Sequence, residues 1–142
     1  MKLLIAGGGT GGHVIPALTI AREFCARAAA QPQQRQVMFV GTARGMESRL
    51  VPPAGFPLEL LQVGALQGQS SLTRVKTLLG LPGAIGNSLA ILKRFQPHVV
   101  LGVGGYAAGP MMLAAALRGV PLAVYEPNAH PGLANQIGRA HV

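Results

Sequence analysis

The chain of 142 residues has no aspartate and no tryptophan, a single cysteine and four glutamates, and only 11% of its residues are charged. Each shortage excludes something. Glu23, Glu47, Glu59 and Glu126 are the only side-chain carboxylates, and no two are close in sequence. A magnesium or calcium site would have to be gathered from scattered positions, and none is expected. The lone Cys25 excludes an intrachain disulfide framework and a multi-cysteine zinc site, and it favours a reducing compartment. Two Tyr and four Phe leave little aromatic surface for base stacking, which argues against a nucleic-acid partner. With 49% hydrophobic residues the chain has ample surface to bury, so disorder is excluded as its main description.

Long uninterrupted apolar runs are missing too. Leu3–Ala6 is too short for the core of a signal peptide and has no cleavage region behind it. Val99 to Leu117 is uncharged, but Gly102, Gly104, Gly105, Gly109 and Pro110 break it. A strand, a loop and a helix describe it better than a membrane span.

What the chain does have is glycine, 20 residues of it, largely clustered, and a net charge of +8. The charge favours an anionic partner such as phosphate groups or an acidic membrane surface. Apolar runs and periodicity predict strands at Lys2–Ala6, Val37–Val40, Leu58–Val63, His98–Val103 and Leu122–Glu126. Helices are predicted at Val14–Ala30, Met46–Val51, Leu72–Leu79, Ala84–Phe95, Ala107–Leu117 and near Leu133–Ala140. Strands alternating with helices imply one α/β domain over residues 1–142, a doubly wound Rossmann-like parallel sheet.

Three segments fall after strands, at the rim where such folds bind ligands. The first is Gly7-Gly-Gly-Thr-Gly-Gly-His13, where glycines allow close backbone approach and the next helix offers unpaired N–H groups. Gly7, Gly9 and Gly12 also fit the dinucleotide pattern, but no acidic residue follows the second strand. Arg44 there leaves an NADP module as an alternative, and a structural glycine-rich turn is another. The second is Gly102-Val-Gly-Gly-Tyr-Ala-Ala-Gly-Pro110. Two glycine loops on one rim suit adjacent phosphates, as in a pyrophosphate, although close helix–strand packing also explains the second. The third is Tyr125-Glu-Pro-Asn128, in which Glu126 is the sole acid after Glu59. His13, at a helix start beside the glycines, suits a neutral hydrogen-bonder or general base. Between Leu60 and Tyr125 there is no acid, whereas Arg74, Lys76, Lys93, Arg94 and Arg118 are basic. With Leu72, Val75, Leu78 and Leu79 among them, this stretch suits a helix resting on an anionic bilayer, or a buried helix with solvated basic ends.

In this order and spacing, Gly8–His13 with Pro16–Leu18, Gly41-Thr42 with Met46-Glu47 and Leu50–Pro52, Pro97 with Val99–Gly102, Gly104–Tyr106, Gly109-Pro110, and Glu126 with Asn128 resemble the MurG family of glycosyltransferases (family 28). The resemblance runs nearly end to end. It implies one half of a two-domain GT-B enzyme that moves N-acetylglucosamine from its UDP donor to lipid I, inverting the anomeric centre without cofactor or essential metal. It further implies that Gly8, Gly9, Gly11, Gly12, Gly104, Gly105 and Tyr106 cradle the acceptor pyrophosphate. Thr10, Gly11, Gly12, His13 and Asn128 would meet the donor sugar, and His13 and Glu126 would serve catalysis. Arg74, Lys76, Leu79, Lys93 and Arg94 would face the inner leaflet, placing the protein peripherally on the cytoplasmic face of the bacterial cell membrane. The family pattern has His and Gln where Tyr125 and Pro127 stand. The family's C-terminal, donor-binding domain is not in these 142 residues, so the chain alone is expected to be inactive. A membrane-anchoring subunit of a two-chain transferase is the remaining alternative.

Overall fold

The computed structural model describes residues 1–27, 35–63 and 71–126. Five strands, β1 (Lys2–Gly7), β2 (Gln36–Gly41), β3 (Leu58–Leu60), β4 (Val99–Gly104) and β5 (Leu122–Val124), form one sheet in the order β3-β2-β1-β4-β5. Every pairing is parallel. The helices are α1 (Gly11–Ala26), α2 (Glu47–Leu50), α3 (Ser71–Phe95) and α4 (Ala108–Leu117), with a 3₁₀ turn at Pro52–Ala54.

The near-continuous apolar strands follow from burial on both faces. Leu3 and Ile5 point into one core with Val37, Phe39, Leu101 and Val103, under Val14, Ala17, Leu18 and Ala21 of α1. Leu4 and Ala6 point into the other, with Val40 and Val100, under Ile91, Leu92 and Phe95 of α3 and Met111, Met112 and Ala115 of α4. Strand side chains alternate between faces, so one short sequence such as Leu3-Leu-Ile-Ala6 supplies both layers. Leu4 and Ile5 are fully buried, each stabilising the fold by about 1.5–3 kcal/mol relative to exposure.

The sheet order reverses direction between β1 and β4, since β2 and β3 lie to one side of β1 and β5 beyond β4. In doubly wound sheets ligands bind outside the carboxyl ends of the strands at this switch point. Here the register slips as well: Ala6 pairs with Gly102 but Gly7 with Gly104, so Val103 is an extra residue on β4. Such a bulge bends a strand and re-aims the loop beyond it.

Several elements differ from the sequence-based expectation. Helix α1 begins at Gly11 rather than Val14, so Pro16 lies in its second turn and withholds the N–H that the Gly12 carbonyl would receive. The expected break at Gly80, Pro82 and Gly83 does not occur: α3 runs unbroken for 25 residues. Burial of Ile91, Leu92 and Phe95 against α4 and the sheet holds its C-terminal half in place, and packing overrides the missing proline bond. Strand β3 ends at Leu60 and β5 at Val124, each shorter than expected. The region from 99 to 117 is a strand, a loop and a helix, as the glycines imply. The expected Leu133–Ala140 helix lies outside the described residues.

Candidate functional site

The loop after β1 and the loop after β4 meet at the switch point. The Gly8 amide donates to the Gly104 carbonyl at 2.9 Å. Gly8 and Gly105 have φ of +144° and +87°, where a side chain is strained. A Cβ on Gly105 would overlap the Gly8 backbone, and one on Gly8 would overlap the Glu47 carboxyl group. Both glycines are therefore required by close approach as well as by conformation.

Beyond this contact the two loops lead into the N-termini of α1 and α4. Thr10 is the N-cap of α1 in extended conformation, and its carbonyl accepts from His13 and Val14. Among the described residues the amides of Thr10, Gly11 and Gly12 meet no acceptor, and neither do those of Gly105 and Tyr106. Open amides at a helix start are anion-binding groups. The Gly8 and Gly9 amides are not among them. Gly8 donates to Gly104 and Gly9 to Glu47, so the first two glycines shape the crevice while the next residues offer donors to it.

His13 stands at the third position of α1, partly buried. Its Nδ1 lies 3.2 Å from the Gly8 carbonyl and 3.2 Å from the Thr10 hydroxyl. A carbonyl only accepts, so the form with the proton on Nδ1 satisfies both contacts, the Thr10 oxygen sharing as second acceptor. Nε2 is then the proton-accepting nitrogen, with no partner among the described residues. The Thr10 hydroxyl, expected at a donor sugar, accepts from the imidazole and keeps its own proton to donate.

At the end of β5 the Tyr125 amide donates to the Gly102 carbonyl at 2.9 Å, carrying the chain onto the same rim. Glu126 is half-buried there, one strand beyond β4 from the glycine crevice. Tyr106 is 45% exposed at the mouth, with Ile15 and Met46 also exposed beside Gly11. Arg44 is exposed at the end of β2. Asn128 lies outside the described residues, as do the side chains of Arg74, Lys76 and Leu79 on α3. Lys93 and Arg94 are exposed, but Arg94 is ion-paired with Glu59, so it is not a bare cation.

Sequence reasoning assigns no role to Glu47. It is 1% exposed, with Oε2 accepting from the Gly9 amide at 2.7 Å and Oε1 from the Thr42 amide at 2.7 Å and hydroxyl at 3.0 Å. The signal is present in Gly41-Thr-Ala-Arg-Gly-Met-Glu47, an acid closing a turn that holds two glycines after a strand.

Residues 3–141 match the model of the glycosyltransferase family 28 N-terminal domain. Among curated proteins, the UDP-N-acetylglucosamine–N-acetylmuramyl-(pentapeptide) pyrophosphoryl-undecaprenol N-acetylglucosamine transferase of Myxococcus xanthus is 50% identical over 137 residues, which cover 96% of this chain and 35% of that protein. The enzyme of the same name from Bdellovibrio bacteriovorus is 50% identical over 136 residues, covering 96% and 37%. Among solved structures, Acinetobacter baumannii MurG superposes with a TM-score of 0.79 at 32% identity, over 97% of this chain and 39% of that one. The chain thus spans little more than a third of the length of these relatives. It belongs to the glycosyltransferase family 28 N-terminal domain family.

Proposed function

We propose that this chain is the acceptor-binding, N-terminal domain of an inverting transferase that moves N-acetylglucosamine from UDP-N-acetylglucosamine to the muramyl 4-hydroxyl of lipid I, forming lipid II. The observation that carries the reading is the crevice at the β1–β4 switch point, where two abutting glycine loops present open amides next to His13. Adjacent phosphates match two sets of N–H donors at two helix starts. A pyrophosphate held by Gly11, Gly12, Gly105 and Tyr106 would place the sugar attached to it near the imidazole. His13 Nε2 then takes the 4-hydroxyl proton as that oxygen bonds to the anomeric carbon, and the bond to the UDP oxygen breaks with its electron pair. Glu126, on the same rim, would position the acceptor or the base. UDP and most of the donor would be held by a C-terminal domain, the part of the relatives that this chain does not span.

Membrane association is part of the proposal. Among the described residues no helix is long and apolar enough to cross a bilayer. A peripheral contact through α3 fits a chain of net charge +8 whose substrate is lipid-linked.

The test is a chimera in which this chain replaces the corresponding N-terminal part of the Myxococcus xanthus relative. Transfer of N-acetylglucosamine to a lipid I analogue is expected from the chimera and not from the 142 residues alone. A folded chimera that binds UDP-N-acetylglucosamine but transfers nothing would refute the assignment.

A further inference from the structure

Glu47 is the one fully buried carboxylate among the described residues. Among the described residues no cation is paired with it; its partners there are the Gly9 amide, the Thr42 amide and the Thr42 hydroxyl. It also fills the space beneath Gly8, Gly41 and Gly45, where a Cβ on any of the three would overlap its carboxyl group. A charge taken out of water is costly unless its hydrogen bonds do something for the fold or the site.

The Gly9 N–H and the Gly8 C=O belong to one peptide group. In a trans peptide these point in opposite directions, and the structure contains no cis bond among the described residues. One end of this unit donates to Glu47 at 2.7 Å, and the other end accepts from His13 Nδ1 at 3.2 Å. We propose that Glu47 is a positioning residue acting on His13 through the Gly8–Gly9 peptide: carboxylate, peptide N–H, peptide C=O, imidazole Nδ1–H. A carboxylate on the N–H polarises the peptide and makes its carbonyl a stronger acceptor, as hydrogen bonds in a chain reinforce one another. That favours the Nδ1–H tautomer and leaves Nε2 the more basic nitrogen, the role a carboxylate plays when it touches a histidine directly. The Met46 amide donates to the Gly9 carbonyl at 3.3 Å, so the β2–α2 turn grips the loop at two successive peptides.

The inference rests on the proposed role of His13 in transfer, yet its test needs neither turnover nor acceptor. Imidazole and amide ¹⁵N spectra of the 142-residue chain report the His13 tautomer and the Gly9 amide. The parent chain is expected to show the Nδ1–H form and a strongly downfield Gly9 amide. Glu47→Gln keeps the volume but sets an NH₂ against a Gly9 or Thr42 donor. It should shift the Gly9 amide upfield and lower the Nδ1–H to Nε2–H ratio by a factor of roughly 3 to 10, the equivalent of weakening one hydrogen bond. Thr42→Val removes one donor but leaves the Gly9 bond, so it should lower stability without moving the tautomer. Should the glutamine variant not fold, Glu47→Asp, one methylene shorter, is read in the same way. A parent chain with His13 as Nε2–H, or a folded Glu47 variant with an unchanged tautomer ratio, overturns the proposal. In the active chimera, Glu47→Gln should lower kcat with KM little changed. An inactive parent chimera with the tautomer response intact would sink the functional reading and leave the relay standing.

Discussion

Two glycines of one loop, Gly105 and Gly109, look alike in sequence, but alanine should destabilise only at the first. Gly105 has φ +87°, and a Cβ there would overlap the Gly8 backbone. An L-residue in the left-handed region costs about 1–2 kcal/mol. Relieving the overlap means parting the two loops, which sacrifices the Gly8–Gly104 hydrogen bond, a further loss of about 0.5–1.5 kcal/mol. Gly105→Ala should therefore destabilise the chain by about 1.5–3.5 kcal/mol. Gly109 lies in the first turn of α4, and a Cβ on it meets nothing within 4 Å. Gly109→Ala should be neutral or stabilise by up to about 1 kcal/mol, because alanine loses less backbone entropy in a helix. Urea unfolding of parent and variants gives both numbers from the midpoints, provided the slope is unchanged. In thermal melts the Gly105 variant should fall by roughly 5–10 °C and the Gly109 variant should not fall. Equal stability of the Gly105 variant and the parent, or a larger loss at Gly109, would refute the close approach of the two loops.

The same geometry sets other outcomes. Leu4→Ala, in the fully buried centre of β1, should cost about 2–5 kcal/mol by the transfer and cavity terms together, read from the same urea curves. Arg94→Ala breaks an ion pair whose side chains are 61% and 39% exposed. It should change stability by less than about 1 kcal/mol, and less again at high salt. Binding to vesicles with anionic headgroups, followed by sedimentation, should weaken more for Lys93→Ala than for Arg94→Ala, since Arg94 is partly neutralised by Glu59. Equal losses would mean that the pair opens at the membrane. His13→Ala in the chimera should lower kcat by roughly 10²-fold or more if Nε2 is the base, whereas a change confined to KM would reassign it to binding.

The rim is legible in the sequence for a local reason. Strand, glycine cluster and helix succeed one another within about a dozen residues at both Gly7–His13 and Gly104–Pro110, and a parallel sheet then forces both loops to one edge. The start of α1 is harder to read because Pro16 invites a boundary, whereas Thr10 in extended conformation is the true N-cap. The unbroken α3 escapes a local reading because Gly80, Pro82 and Gly83 argue for a break that only tertiary packing on α4 and the sheet can override. Glu47 escapes for a different reason. Its partner Gly9 is 38 positions away, and an acid in the first turn of a short helix reads as a solvated dipole partner. Only the fold shows that it points inward, under three glycines. That the Gly8 and Gly9 amides turn inward is likewise a matter of long-range pairing, with Gly104 across the switch point and with Glu47 after β2, which no local pattern encodes.

That the crevice between the β1 and β4 loops binds a pyrophosphate-bearing acceptor is the proposal on which the role of His13 depends. It is tested most directly by amide spectra of the 142-residue chain during titration with a soluble lipid I analogue. Saturable shifts are expected at Thr10, Gly11, Gly12, Gly105 and Tyr106, with smaller ones at Gly8 and Gly9, whose amides already donate within the protein. No saturable shift at those residues, or shifts confined to the groove lined by Thr19, Phe24 and Arg35 between α1 and β2, would contradict it.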